Sequence, residues 1–215
     1  MLYKRCRFVH FVSEFTKKNS LYGNRKNFET IPNTSHLEPK ALNLQYQILN
    51  DRPYEVLIVK SIEERARFDL LINVAELIRN EEITFIVAGK GPLWEHFNNI
   101  ITQKKLTNIR LLGFVEETAL ISLYKQCDLV LMIAEYGEGF GLPIIEGYLF
   151  NKPVIASNKC AIPEVIKDSI FLFENNTNAI TEKLHFAKHN GLQNFREYYD
   201  KEFSNASILR RYELL

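Results

Sequence analysis

From residue 54 onward, short runs of β-branched and aliphatic residues alternate with longer stretches whose apolar positions recur at helical spacing. The runs 54–59, 84–88, 109–112, 129–133, 154–157 and 170–173 are each short enough for a buried strand. Between them, Leu70, Leu71, Val74, Ala75 and Ile78 lie on one helical face, as do Ala119, Leu120, Leu123 and Tyr124. Repeated βα units of this kind predict an α/β fold, a Rossmann-like doubly wound parallel sheet with ligands beyond the carboxyl ends of its strands. The first fifty residues break the pattern: one strand-like run, 8–12, precedes polar sequence, and 33–40 reads as a connector. Residues 194–215 are polar and aromatic, with Phe195, Tyr198, Tyr199, Phe203 and Tyr212, and read as one or two terminal helices.

The segment Glu138-Gly-Phe-Gly-Leu-Pro-Ile-Ile-Glu146 follows the fourth of these strands. Gly139 and Gly141 allow close backbone approach, and Pro143 suits the first helical position, where a missing N–H costs no intrahelical bond. Free N–H groups and the positive end of a helix dipole attract phosphate. The two carboxylates then need hydroxyl groups on the same ligand to accept from, which points to a nucleotide, a sugar phosphate or both. The alternative is a plain strand-to-helix turn flanked by solvated glutamates.

Charge and cysteine usage narrow the classes. Of 215 residues, 46% are hydrophobic, enough for a real core, and 27 Lys and Arg against 26 Asp and Glu leave +1, so no global field calls for nucleic acid or an anionic membrane. The basic stretch 3–7 reads as an exposed start. No run reaches the length of a membrane span and no signal-peptide core is present, so cytoplasmic residence is expected, with peripheral membrane contact still allowed. Cys6, Cys127 and Cys160 are scattered and read as buried thiols. His10, His36, His96, His185 and His189 show no ligand spacing, so no metal site is expected and none is given a catalytic role.

In context the Glu138–Glu146 spacing resembles the E-x7-E motif of glycosyltransferase family 4, retaining enzymes of GT-B fold that use nucleotide-sugar donors. Val12-Ser-Glu-Phe-Thr-Lys17 and Ile31-Pro-Asn-Thr34 resemble the family's crossing from its acceptor domain to its donor domain. Val87-Ala-Gly-Lys-Gly-Pro-Leu93, Leu112-Gly-Phe-Val115, Pro153-Val-Ile-Ala-Ser157 and Ile162-Pro-Glu-Val165 resemble later donor-domain segments in the family's order. The resemblance implies three segments: 1–50, the end of an acceptor domain and its connector; 51–192, the Rossmann-like donor-binding domain; and 193–215, a C-terminal helical tail. It implies that Glu138 is catalytic and faces the transferred sugar, and that Glu146 accepts from the ribose hydroxyls. The amides of Gly139, Phe140, Gly141 and Leu142 would serve the diphosphate, with Gly89, and with Gly113, Phe114 and Val115 at the base. The donor is a substrate, and no cofactor or metal is implied; the sequence has no D-x-D motif.

Two departures qualify this. The family places a Gly-Arg pair after the first strand of this domain and a Lys shortly after, to grip the diphosphate. Here Lys60-Ser61 and Ala66 occupy those positions, leaving Arg65 and Arg67 as candidate phosphate ligands, with Lys60 and Lys90 within possible reach. The acceptor domain's own Gly-rich loop and histidine have no counterpart in these residues, so transfer by this chain alone is expected to be weak, and a separate acceptor-domain chain is a candidate partner. The competing reading is a non-catalytic nucleotide-sugar-binding or interaction module that keeps the fold. A nicotinamide enzyme is disfavoured because the first βα turn lacks the glycines it requires. If the aromatic tail packs on an acceptor domain, it leaves a sticky surface in this chain.

Overall fold

Each strand-like run contains a strand, and the computed structural model describes residues 9–21, 28–41, 52–190 and 194–214. The opening segment gives β1 (Val9–Phe11), α1 (Glu14–Lys18), β2 (Phe28–Thr30) and α2 (Glu38–Ala41). β1 and β2 pair in parallel, Val9 opposite Phe28, a pairing that the polar sequence around 28–30 conceals. The main sheet follows: β3 (Tyr54–Val59), α3 (Phe68–Leu77), β4 (Ile83–Ala88), α4 (Trp94–Lys104), β5 (Ile109–Gly113), α5 (Glu117–Gln126) and β6 (Leu129–Met132). Next come α6 (Leu142–Leu149), β7 (Val154–Ser157), α7 (Ile162–Val165), β8 (Leu172–Phe173), α8 (Thr177–Asn190), α9 (Phe195–Glu202) and α10 (Asn205–Glu213).

The strand order β5-β4-β3-β6-β7-β8, parallel throughout, is that of a doubly wound sheet. Chain progression runs outward in both directions from the β3/β6 pair, so a crevice opens where the loops after those two strands part. Every residue of β6 and β7 is buried, as expected for strands covered on both faces. Leu70, Leu71, Val74 and Ala75 form the buried face of α3 as expected. On α5 Tyr124 is buried and Leu120 and Leu123 pack against the core as expected, while Ala119 is exposed and Ile121 and Lys125 are buried as well.

Other expectations are corrected. Residues 170–171 belong to a 3-10 turn, Ser169–Phe171, because the Asp168 side chain accepts from the Ile170 N–H at 3.0 Å and closes a turn before the short edge strand. Pro143 takes the second helical position of α6, after Leu142, where the N–H that proline lacks is equally dispensable. The aromatic tail is not a sticky surface: Phe195 and Tyr199 are fully buried and Phe203 nearly so. Phe195 stacks on Tyr148 with ring centroids 5.4 Å apart and meets Phe171 edge-on, so α9 completes the core over α6. Cys127 is a buried free thiol, its pKa pushed up to about 12 by burial; Cys160 is half-buried and free, and Cys6, like the basic stretch 3–7, lies outside the described residues. Among the described residues no helix is long and apolar enough to cross a membrane.

Candidate active site

At the carboxyl ends of β3, β4 and β6 lies a cleft of about 680 Å³. The turn after β3 contributes Lys60, Ser61 and Arg65, the turn after β4 contributes Gly89 and Lys90, and the loop after β6 contributes Glu138 to Pro143 and then Glu146. The connector adds Asn33 and His36. Two glycines are required by geometry. A Cβ on Gly89 would lie 2.0 Å from the Lys60 carbonyl oxygen, so the first two turns can nest only through a residue without a side chain. Gly141, the N-cap of α6, has φ 96°, a left-handed conformation that glycine adopts without strain.

The loop before α6 exposes its donors. Among the described residues, the N–H groups of Gly139, Phe140, Gly141 and Leu142 donate to no protein acceptor, while the three preceding carbonyls are all taken. Arg65 Nη1 donates to the Gly137 oxygen at 3.0 Å, the Ala161 N–H to the Glu138 oxygen at 3.2 Å, and Ser13 Oγ to the Gly139 oxygen at 2.7 Å. Four amides at a helix start, without a partner among the described residues, can together hold an anion.

The two carboxylates differ in kind. Glu138 is ion-paired with Lys60, Nζ to Oε2 2.5 Å, with the side chains only 16% and 9% exposed. Glu146, on the first turns of α6, is 4% exposed, and burial raises its pKa. Tyr124 opposes that rise by donating its hydroxyl to Glu146 Oε2 at 2.7 Å, and His36 and Ser35 also favour the ionised form. Tyr124 is itself fully buried and stacked on Phe150, centroids 5.5 Å apart at 12°, so its hydroxyl has one place to point.

The structure thus brings Glu138, Gly139, Phe140, Gly141, Leu142, Glu146, Gly89 and Arg65 to one cleft. Phe140 lends only its backbone, since its ring is buried edge-on against Phe203. Gly113 abuts the cleft through its carbonyl, which accepts from the Gly89 N–H at 2.8 Å, whereas Phe114 is 75% exposed beyond it and neither Phe114 nor Val115 lines it. Arg67 is turned away: it caps the turn after β3 at φ 47° and its guanidinium pairs with Asp69 at 2.9 Å and Glu135 at 2.8 Å. Arg65 divides itself between Glu63 at 2.8 Å and the Gly137 carbonyl. The cation committed most deeply to the cleft is therefore Lys60, which stands where the resembled family has glycine. Tyr124 and His36 were not singled out by the sequence; Tyr124 sits at a helical core spacing, and nothing in one chain separates a core tyrosine from one that holds a carboxylate. Among the described residues, no group of three or more His, Cys, Asp or Glu side chains is placed to share a metal ion.

A family model described as Glycosyl transferases group 1 matches residues 41–204. An O-antigen biosynthesis glycosyltransferase of Escherichia coli, WclY, is 28% identical over 158 residues, covering 71% of this chain and 43% of that protein. A glycosyltransferase crystal structure from Rickettsia africae superposes with a TM-score of 0.80 at 21% identity, over 96% of this chain and 62% of that one. Anabaena HepE, solved with UDP and glucose, superposes at 0.77 and 18% identity over the same shares. The chain thus spans less than half of WclY and about three fifths of each solved neighbour, whose fold it shares.

Proposed function

The chain belongs to the Glycosyl transferases group 1 family, and from that premise we propose that it forms the donor-binding half of a retaining, metal-independent glycosyltransferase of family 4. It takes a nucleotide sugar and acts with an acceptor domain supplied by a further stretch of chain or by a partner. The observation that carries this reading is the convergence, at the switch point of the sheet, of four unpartnered amides with two carboxylates in a single cleft. The amides face the diphosphate, Glu146 accepts from the ribose hydroxyls, and Glu138 faces the sugar.

The chemistry follows from charge. When the bond from the sugar to the diphosphate breaks, negative charge accumulates on the leaving phosphate. Amide donors already fixed at that place stabilise it without reorganising. Lys60 lies beside them, its charge offset by Glu138 in the ion pair, and becomes available to the diphosphate when donor binding opens that pair, so the site draws its electrostatic stabilisation from the protein. Specific orientation of the acceptor is the contribution left to the acceptor domain, and orientation accounts for about 7–11 kcal/mol in well-aligned intramolecular reactions. Cytoplasmic residence is part of the proposal, since nucleotide sugars are the donor.

A second reading, a non-catalytic nucleotide-sugar-binding module, is favoured by one observation. The Lys60–Glu138 pair ties up the carboxylate that would face the sugar. Calorimetry with UDP, GDP and ADP and their sugars tests the first reading. Binding of at least one, lost in Glu146→Ala, is expected; no heat with any of them would sink it. Slow hydrolysis of a bound donor supports retained chemistry, whereas binding without turnover, even with an acceptor domain added, selects the module.

A further inference from the structure

The carbonyls of Gly137, Glu138 and Gly139 are each held by a different element: the turn after β3, the start of α7, and the N-cap of α1. In a planar trans peptide the carbonyl of one residue and the N–H of the next point in opposite directions. Holding the Gly139 oxygen away from the cleft therefore aims the Phe140 N–H into it. The same logic ties Ala161 to the Gly139 N–H. Gly139 and Gly141 have the freest backbones of the segment, so a peptide flip between them has a low intrinsic barrier in conformational cost. A flip would replace a donor by a carbonyl oxygen, which repels an anion.

Ser13 is built for this role. It is 2% exposed, its hydroxyl proton goes to the Gly139 oxygen at 2.7 Å, and its lone pair accepts the Thr16 N–H at 3.1 Å as the N-cap of α1. Thr16 closes the box, its Oγ1 accepting from the Ser13 N–H at 3.2 Å. α1 is seated in turn by Glu164 on α7, whose two carboxylate oxygens accept the N–H groups of Glu14 and Phe15, each at 2.7 Å. The fit is close: a Cβ on Gly139 would lie 3.1 Å from the Thr16 methyl group.

We propose that Ser13, held by α1 and Glu164, is a positioning residue that fixes the polarity of the Gly139–Phe140 peptide and so the anion affinity of the cleft. The segment that leads into β2 thereby sets the state of a loop 126 residues further on, with the Ser13 hydroxyl as its direct hydrogen bond to the Gly139–Phe140 peptide. The inference rests on the donor-loop reading for its effect on affinity, but the peptide geometry is independent of it.

The test compares wild type with Ser13→Ala, Ser13→Thr and Glu164→Ala, using UDP, GDP and ADP as probes and ¹⁵N relaxation of residues 139–142. Loss of one hydrogen bond should weaken the best-binding nucleotide about fivefold in Ser13→Ala. The order parameters of Gly139 and Phe140 should fall from about 0.85 toward 0.6 or below. Ser13→Thr, which keeps the hydroxyl, should restore both, and Glu164→Ala should loosen the same amides, with the amides of β3 and β4 unchanged in every variant. Unchanged affinity and order parameters in Ser13→Ala would overturn the proposal, as would Ser13→Thr behaving like Ser13→Ala. If wild type binds none of the three nucleotides, the donor reading fails, and the order parameters alone decide the role of Ser13.

Discussion

Glu146 shows how much a single hydroxyl can decide. Burial favours its neutral form, and the Tyr124 hydroxyl at 2.7 Å is the main group pulling the other way. Because the folded-state pKa lies above the ordinary 4.5, the fold holds this proton more tightly than the unfolded chain does. Stability contributed by Glu146 is thus greatest below about 4.5 and falls as pH rises through the raised value. Tyr124→Phe keeps the ring and its stacking on Phe150 but removes the first of the groups that favour the ionised carboxylate, leaving Ser35 and His36. The expected loss of stability is about 1–3 kcal/mol at pH 7 and less at pH 4, where the carboxyl is protonated. If Glu146 accepts from the two ribose hydroxyls as proposed, which needs its ionised form, nucleotide affinity should then fade at a higher pH than in wild type. Urea unfolding at the two pH values and calorimetry from pH 5 to 8 check this; a pH profile that superposes on wild type would rule Tyr124 out as the group that sets the charge of Glu146.

At the scale of elements, the Glu138–Glu146 loop is only as well placed as α6. That helix lies so close to the sheet that a Cβ on Gly147 would come 2.7 Å from Val154 Cγ2 and 3.1 Å from Val130 Cγ2. Gly147→Ala should therefore lift α6 from β6 and β7 and cost about 1–3 kcal/mol, as overpacking does. Trimming the opposing methyl groups in Gly147→Ala/Val154→Ala should recover part of the loss, so the two changes are not additive. Equal and additive losses in thermal melts would mean that α6 is free to shift. This packing also explains which features could be read from sequence. The strand at 129–132 stands out because a parallel strand covered on both faces needs an unbroken apolar run, and the Glu138–Glu146 loop because glycine and proline mark a helix start. β2 was hidden because a three-residue pairing leaves no periodicity in polar sequence. The orientation of Arg67 and the burial of Lys60 against Glu138 depend on partners 68 and 78 residues away, which no local pattern encodes.

Across the whole molecule, the last two helices close over His10, Thr34 and Glu38. Glu38, on α2, accepts from the Tyr199 hydroxyl at 3.1 Å and from the Asn205 N–H at 2.8 Å, and Thr34 donates to Asn205 Oδ1 at 2.9 Å. Tyr212 meets His10 edge-on, with ring centroids 5.4 Å apart. Beneath this seam, Phe195 is enclosed by Tyr148 and Phe171, and Phe203 by Phe140, Tyr198 and Tyr199. The tail is thus both part of the core and a tether for the segment that carries Ser13. The two roles separate by substitution. Phe195→Ala empties a fully buried aromatic site and should cost about 3–5 kcal/mol of global stability. Tyr212→Phe removes only an exposed hydroxyl contact and should stay within about 0.5 kcal/mol. Limited proteolysis completes the comparison. In wild type and Tyr212→Phe, α9 should survive as long as the sheet does, because cutting it requires opening the core; in Phe195→Ala it should be cut first. Early cleavage within 195–202 of the wild-type chain, with the sheet intact, would mean that α9 is an appendage rather than a wall of the core.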